Sequence, residues 1–90
     1  MKKVLVLVHL KGATTKLYDD MLKDLATAGQ LKLKERPHHF ASVKEDEILV
    51  VDVWESAEDF AGFGEIMIPI AKAHGVVAEA ELYPLYNELD

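Results

Sequence analysis

The stretch VVDVWESAEDF, residues 50–60, decides the fold. Its first half is β-branched and apolar, the composition of a buried strand. Its second half opens a helix, with Ser56 in capping position and Asp59 three residues on, a weaker variant of the capping box. The anomaly is Asp52, an acid among valines. A carboxylate in a buried strand is costly unless something pairs with it. Its surroundings therefore have to be worked out from the rest of the chain.

Upstream, ILVVDVWE (48–55) follows HHFASV (38–43) across the polar turn KEDE (44–47), which makes a β-hairpin. Pro37 stands at the entry of the earlier strand, as an edge strand allows. QLKLKER (30–36) is a connector. Before it, Leu17, Met21, Leu25 and Ala28 recur at helical spacing, widened by Tyr18 and Leu22, so helix one spans about 15–28. Thr14 or Thr15 offers the N-cap and Gly29 the C-terminal stop. KVLVLVHL (3–10) is strand one. Downstream of the quoted stretch, Phe60, Phe63, Met67 and Ile70 trace one face of helix two. Pro69 removes the hydrogen bond to the Glu65 carbonyl, which predicts a kink or break near 65–68. Gly75 ends the helix, and VVAEAELYPLYNEL (76–89) is strand four, its Pro84 marking an edge or a bulge.

The order β-α-β-β-α-β is the ferredoxin-like α+β arrangement, two helices on one face of an antiparallel sheet ordered 4-1-3-2. That order requires strands one and three to be central and most apolar, and puts the two proline-bearing strands at the edges. Both faces of the central strands are apolar: Leu49, Val51 and Val53 against Ile48, Val50, Asp52 and Trp54, and Val4, Val6 and Val8 against Leu5, Leu7 and His9. Helices cover one face only. An exposed apolar patch of several hundred Å2 is sticky, so the second face predicts a two-fold homodimer, sheet against sheet.

Bulk composition narrows the function classes. Ninety residues make one domain, residues 1–90, with a thin stability margin. The net charge is −6 and Lys/Arg form no long run, which excludes a nucleic-acid footprint. Without cysteine there is no disulfide or thiol chemistry. No stretch approaches the ~20 apolar residues of a membrane helix. MKKVLVLVHLKG (1–12) has only five apolar residues from Val4 to Val8, below the about 7–15 of a signal peptide, and reads as a strand of a cytoplasmic protein.

With an even hairpin loop, position 43 faces 48, 41 faces 50 and 39 faces 52. His39 then stands opposite Asp52 on the face that also carries Trp54; a slip of one residue substitutes His38. A carboxylate beside an imidazole fixes its tautomer and orients it as a base, a setting for proton abstraction from a phenol or quinol. His39 and Asp52 are the candidate catalytic pair. The structural reading stands beside it: Asp52 satisfied by a backbone amide, Tyr83 or Tyr86. Trp54 reads first as core or dimer packing. Metal is not expected. His38 and His39 point to opposite faces, His9 lies toward the other end of the sheet from Trp54, and His74 sits at a helix C-terminus.

The segment VVDVWESAEDFAGFGEIMIPIAKAHGV (50–76), with its Trp-Glu-Ser strand end, Glu-x-Phe, Phe-Gly and mid-helix proline, together with YPLYN (83–87), resembles the dimeric α+β barrel superfamily, whose small members include antibiotic-biosynthesis-monooxygenase-like proteins. The resemblance implies a homodimeric barrel with a ligand cleft between sheet and helices or inside the barrel. Trp54, His9, Phe63 and Met67 are then candidate substrate-binding residues. It implies a cofactor-independent monooxygenase acting on a hydroxyaromatic or quinol-type metabolite, with no cofactor and no metal. The alternative is a non-catalytic binder of a small aromatic or apolar ligand, or a regulatory homodimer. Quinol monooxygenases of the superfamily use a Trp with a nearby Asn and Arg. Trp54 fits the first, but Val50 stands four residues before it and Arg36 is the only arginine, so their mechanism does not carry over residue by residue.

Overall fold

The computed structural model describes residues 2–89. Six elements follow one another: β1 (Val4–Lys11), α1 (Thr15–Thr27), β2 (His38–Lys44), β3 (Glu47–Trp54), α2 (Ala57–Ala73) and β4 (Val77–Pro84). They form one four-stranded antiparallel sheet in the order β2-β3-β1-β4, which is the ferredoxin-like arrangement. The apolar strands β1 and β3 lie in the middle. Pro37 directly precedes the edge strand β2, and Pro84 closes the edge strand β4, where a missing N–H costs no ladder bond.

Both helices start on side-chain caps. The Thr14 hydroxyl accepts from the Leu17 amide at 3.2 Å, and the Ser56 hydroxyl from the Asp59 amide at 3.1 Å. Glu58 and Asp59 in the first turn of α2 suit the positive end of its dipole. Of the kink or break expected near 65–68, the break does not occur: α2 runs on from Ala57 to Ala73. Glu65 and Pro69 both lie on its exposed side, where water can take the bond that the Glu65 carbonyl loses. Strand four is shorter than expected. It ends at Pro84, although Leu85 still donates to the Lys3 carbonyl at 3.0 Å.

The helices cover one sheet face. Met21 and Leu25 of α1 and Phe60, Phe63, Met67 and Ala71 of α2 bury Val6, Val8, Leu10, Ile48, Val50 and Trp54. The other face carries Leu5, Leu7, Leu49 and Val51, each part-buried, and Phe40, 64 % exposed. The polar end of that face is a charged cluster, in which His9 lies between Glu47 and Glu81 at 2.7 and 2.9 Å and Lys11 meets Glu79.

Candidate active site

Asp52 projects from β3 toward the helices because Ile48, Val50 and Trp54 do, by strand alternation. It is 2 % exposed. In the hairpin, His39 pairs directly with Asp52, in the even register read from the turn. His39 Nδ1 lies 2.5 Å from Asp52 Oδ1, and the Trp54 indole N–H donates to Oδ2 at 3.2 Å. Both carboxylate oxygens are thus engaged, and neither Tyr83 nor Tyr86 takes part. Tyr83 donates to Glu81, and Tyr86 is fully exposed. Among the described residues, no buried side-chain nitrogen or oxygen lacks a partner.

The other imidazole nitrogen, Nε2, lies 2.7 Å from the Tyr18 hydroxyl. With Asp52 ionised, the His39 proton sits on Nδ1, and Nε2 of the neutral ring accepts from the phenol. Tyr18 comes from α1, its ring within 5° of parallel to the imidazole. Burial, and then the Asp52 charge, push the Tyr18 phenol above its ordinary range, with Arg36 partly opposing them. The hydroxyl therefore keeps its proton. Trp54, Asp52, His39 and Tyr18 form one hydrogen-bonded chain leading from the core outward.

The chain borders a cavity of about 380 Å3 between the sheet, both helices and the connector that follows α1. Apart from Tyr18, His39 and Asp52, its wall is apolar except for Lys32 and Arg36. Arg36 is fixed in place. One guanidinium nitrogen donates to the Leu31 carbonyl at 2.7 Å, and the cation sits 5.6 Å from the Trp54 ring centre and 5.5 Å from that of Phe63. Among the described residues, no carboxylate lies within ion-pair distance of Arg36 or Lys32. A small, mostly apolar pocket with a few convergent polar groups is the usual form of a small-molecule site.

The structure brings some of the sequence candidates together and separates others. His39, Asp52, Phe63 and Met67 all border the cavity, and Trp54 stands behind Asp52. His9 does not belong there. Val8 and Leu10 point inward, so His9 between them points to the open sheet face, where it pairs with Glu47 and Glu81. Its imidazole is held above the ordinary range by the hydrogen bonds it donates to Glu47 and then Glu81. His38 pairs with Glu88 and His74 with Asp24. Among the described residues, no three His, Cys, Asp or Glu side chains converge to hold a metal. Tyr18 and Arg36 also line the cavity, though the sequence patterns do not single them out for it. In the sequence Tyr18 belongs to the apolar stripe of α1, and Arg36 to a connector, where it stands as the only arginine of the chain.

No family model matches the chain, and no curated protein matches it. Solved structures do. A mutant of SnoaB, a cofactor-independent oxygenase from Streptomyces nogalater, superposes with a TM-score of 0.68 at 12% identity, over 99% of this chain and 98% of that one. A provisionally named antibiotic biosynthesis monooxygenase from Deinococcus radiodurans gives 0.66 at 12% identity, over 97% and 96%. A dimeric ferredoxin-like protein from an uncultured marine organism gives 0.62 at 16% identity, over 100% and 93%. The chain shares the fold of antibiotic-biosynthesis-monooxygenase-like ferredoxin-like proteins. No helix among the described residues is long and apolar enough to cross a membrane.

Proposed function

We propose that the chain is a homodimeric small-molecule enzyme that oxidises a hydroxyaromatic or quinol-type compound with dioxygen and no cofactor. The observation that carries this reading is the His39–Asp52 pair at the edge of an otherwise apolar cavity of about 380 Å3. The pair accepts the proton of a ligand hydroxyl, and the ion pair it forms is held by the buried carboxylate. The electron-rich anion then reacts with dioxygen itself. A phenol with a free para position takes up one dioxygen and leaves as quinone and water, so oxidant and atoms balance. Arg36, which has no carboxylate partner among the described residues, favours the anionic form of the ligand. The likeness to SnoaB, a cofactor-independent oxygenase, supports the same reaction class.

The homodimer rests on the uncovered sheet face around Leu5, Leu7, Leu49, Val51 and Phe40, and on the likeness to a dimeric ferredoxin-like protein. The test is oxygen uptake with a panel of hydroxyaromatic compounds. Uptake by the parent protein that is lost in His39→Ala supports the reading. Saturable binding with no uptake makes the protein a binder rather than an enzyme. Absence of both defeats the reading.

A further inference from the structure

The hydrogen-bond inventory of the site points to a residue other than the histidine as the one that meets the ligand. His39 has no free nitrogen. Nδ1 is held by Asp52 at 2.5 Å and Nε2 by the Tyr18 hydroxyl at 2.7 Å. Asp52 has no free oxygen either, since His39 takes Oδ1 and Trp54 takes Oδ2. Tyr18 Oη is the end of the chain. It donates to Nε2 and keeps its acceptor capacity, and Tyr18 borders the cavity.

We propose that Tyr18 is a catalytic residue, accepting the proton of a phenolic ligand at Oη while passing its own proton to His39 Nε2. This inference rests on the reading of the cavity as a site for a hydroxyaromatic ligand. The step balances as a double proton transfer. The ligand O–H breaks and a new O–H forms on Tyr18, while the old Tyr18 O–H breaks and an N–H forms on Nε2. The products are a ligand phenolate, a neutral Tyr18 and an imidazolium beside the Asp52 carboxylate. Tyr18 never has to exist as a free anion, in keeping with a phenol held above its ordinary range by burial and by Asp52. Arg36, whose charge also reaches Tyr18, is placed to stabilise the phenolate.

The experiment uses 4-nitrophenol, whose anion is yellow, at a pH where the free phenol is mostly neutral. Bound to the parent protein, the probe turns yellow. Tyr18→Phe binds it no more than about tenfold more weakly, the worth of one neutral hydrogen bond, and leaves it colourless. His39→Gln, which offers partners to both neighbours but stores no proton, also leaves it colourless. If Tyr18→Phe ionises the probe as the parent does, Tyr18 is a packing residue and His39 is reached directly. That outcome overturns the relay and leaves the oxygenase reading standing. If the parent neither binds nor ionises the probe, both fall. Should Tyr18→Phe not fold, 3-fluorotyrosine placed at position 18 takes over. Its 19F resonance shifts on probe binding if Oη meets the phenol, and an unmoved resonance overturns the relay.

Discussion

His39 and Asp52 face each other across the hairpin, Nδ1 to Oδ1 at 2.5 Å, with the Asp52 side chain 3 % exposed and the His39 side chain 31 % exposed. One partner is in the core and the other at the cavity edge. Removing the buried partner therefore strands two donors, the His39 and Trp54 N–H groups. Asp52→Ala lowers unfolding free energy by about 2–3 kcal/mol. Asp52→Asn costs less, about 1–2 kcal/mol, because the amide oxygen still accepts from one of them. Urea unfolding followed by the fluorescence of Trp54 reads both, and equal losses would mean that the hydrogen bonds carry little of Asp52's contribution.

The His39–Asp52 juxtaposition was legible because strand register has period two, and the length of KEDE set which residues oppose. The central position of β1 and β3 was legible because they are the most apolar strands, while the prolines at the other two suit edges only. Tyr18 was not legible as a partner of His39. Helical spacing shows that it faces the sheet, but which strand residue it meets depends on how α1 crosses the sheet. That His9 lies apart from this cavity is not legible, because β1 is apolar on both faces and alternation alone does not say which set faces the helices. That α2 continues through Pro69 is not legible from the sequence, since it depends on Glu65 lying on the exposed side, where water can take the bond its carbonyl loses.

Pro69 accordingly marks a place where stability can be gained. Pro69→Ala restores the hydrogen bond to the Glu65 carbonyl and removes a residue about 3 kcal/mol poorer than alanine in a helix interior. Proline stiffens the unfolded chain, which offsets about 0.4–1 kcal/mol of that. A net gain of about 2–2.6 kcal/mol is expected in denaturant unfolding. No gain would show that the surroundings of α2 already accommodate the proline.

His9, between Glu47 and Glu81, makes part of the stability depend on pH. The imidazole is raised above 6.5 by Glu47 and then Glu81; its stabilisation is complete below 6.5 and fades as pH rises through the raised value. Glu47, lowered from 4.5 chiefly by His9, and Glu81, lowered by Tyr83 and then His9, contribute fully above 4.5; that is lost as pH falls through their lowered values. The cluster thus stabilises most between pH 4.5 and 6.5. In His9→Gln the difference from the parent should be largest inside that window and shrink on both sides. A pH-independent difference would assign His9 a packing role only.

The uncovered sheet face predicts the effect of a charge at its centre. Leu7 pairs with Val51 on one side and Glu81 on the other, so its side chain stands in the middle of that face. Leu7→Lys should turn a dimer into a monomer on native mass spectrometry while sparing the cavity, which lies behind the sheet. A parent protein of monomer mass would remove the homodimer from consideration at once.

Arg36 tests whether the cavity wall needs a planar cation or only a positive charge. Its guanidinium donates to the Leu31 carbonyl while lying against both Trp54 and Phe63. A lysine keeps the charge but loses the flat face and the fixed fork of donors. Arg36→Lys is therefore expected to lower stability by about 1–2 kcal/mol, the worth of a desolvated cation–π contact and one backbone hydrogen bond. Arg36→Met removes the charge as well. If the cation stabilises a ligand anion, the methionine variant should bind a phenolate about tenfold or more weakly than the lysine variant, which is about 1.4 kcal/mol or more. Isothermal titration with 4-nitrophenolate, at a pH where the probe is fully ionised, separates the two roles. Equal affinities in the two variants would leave Arg36 as a structural clamp on the connector, with no part in holding charge.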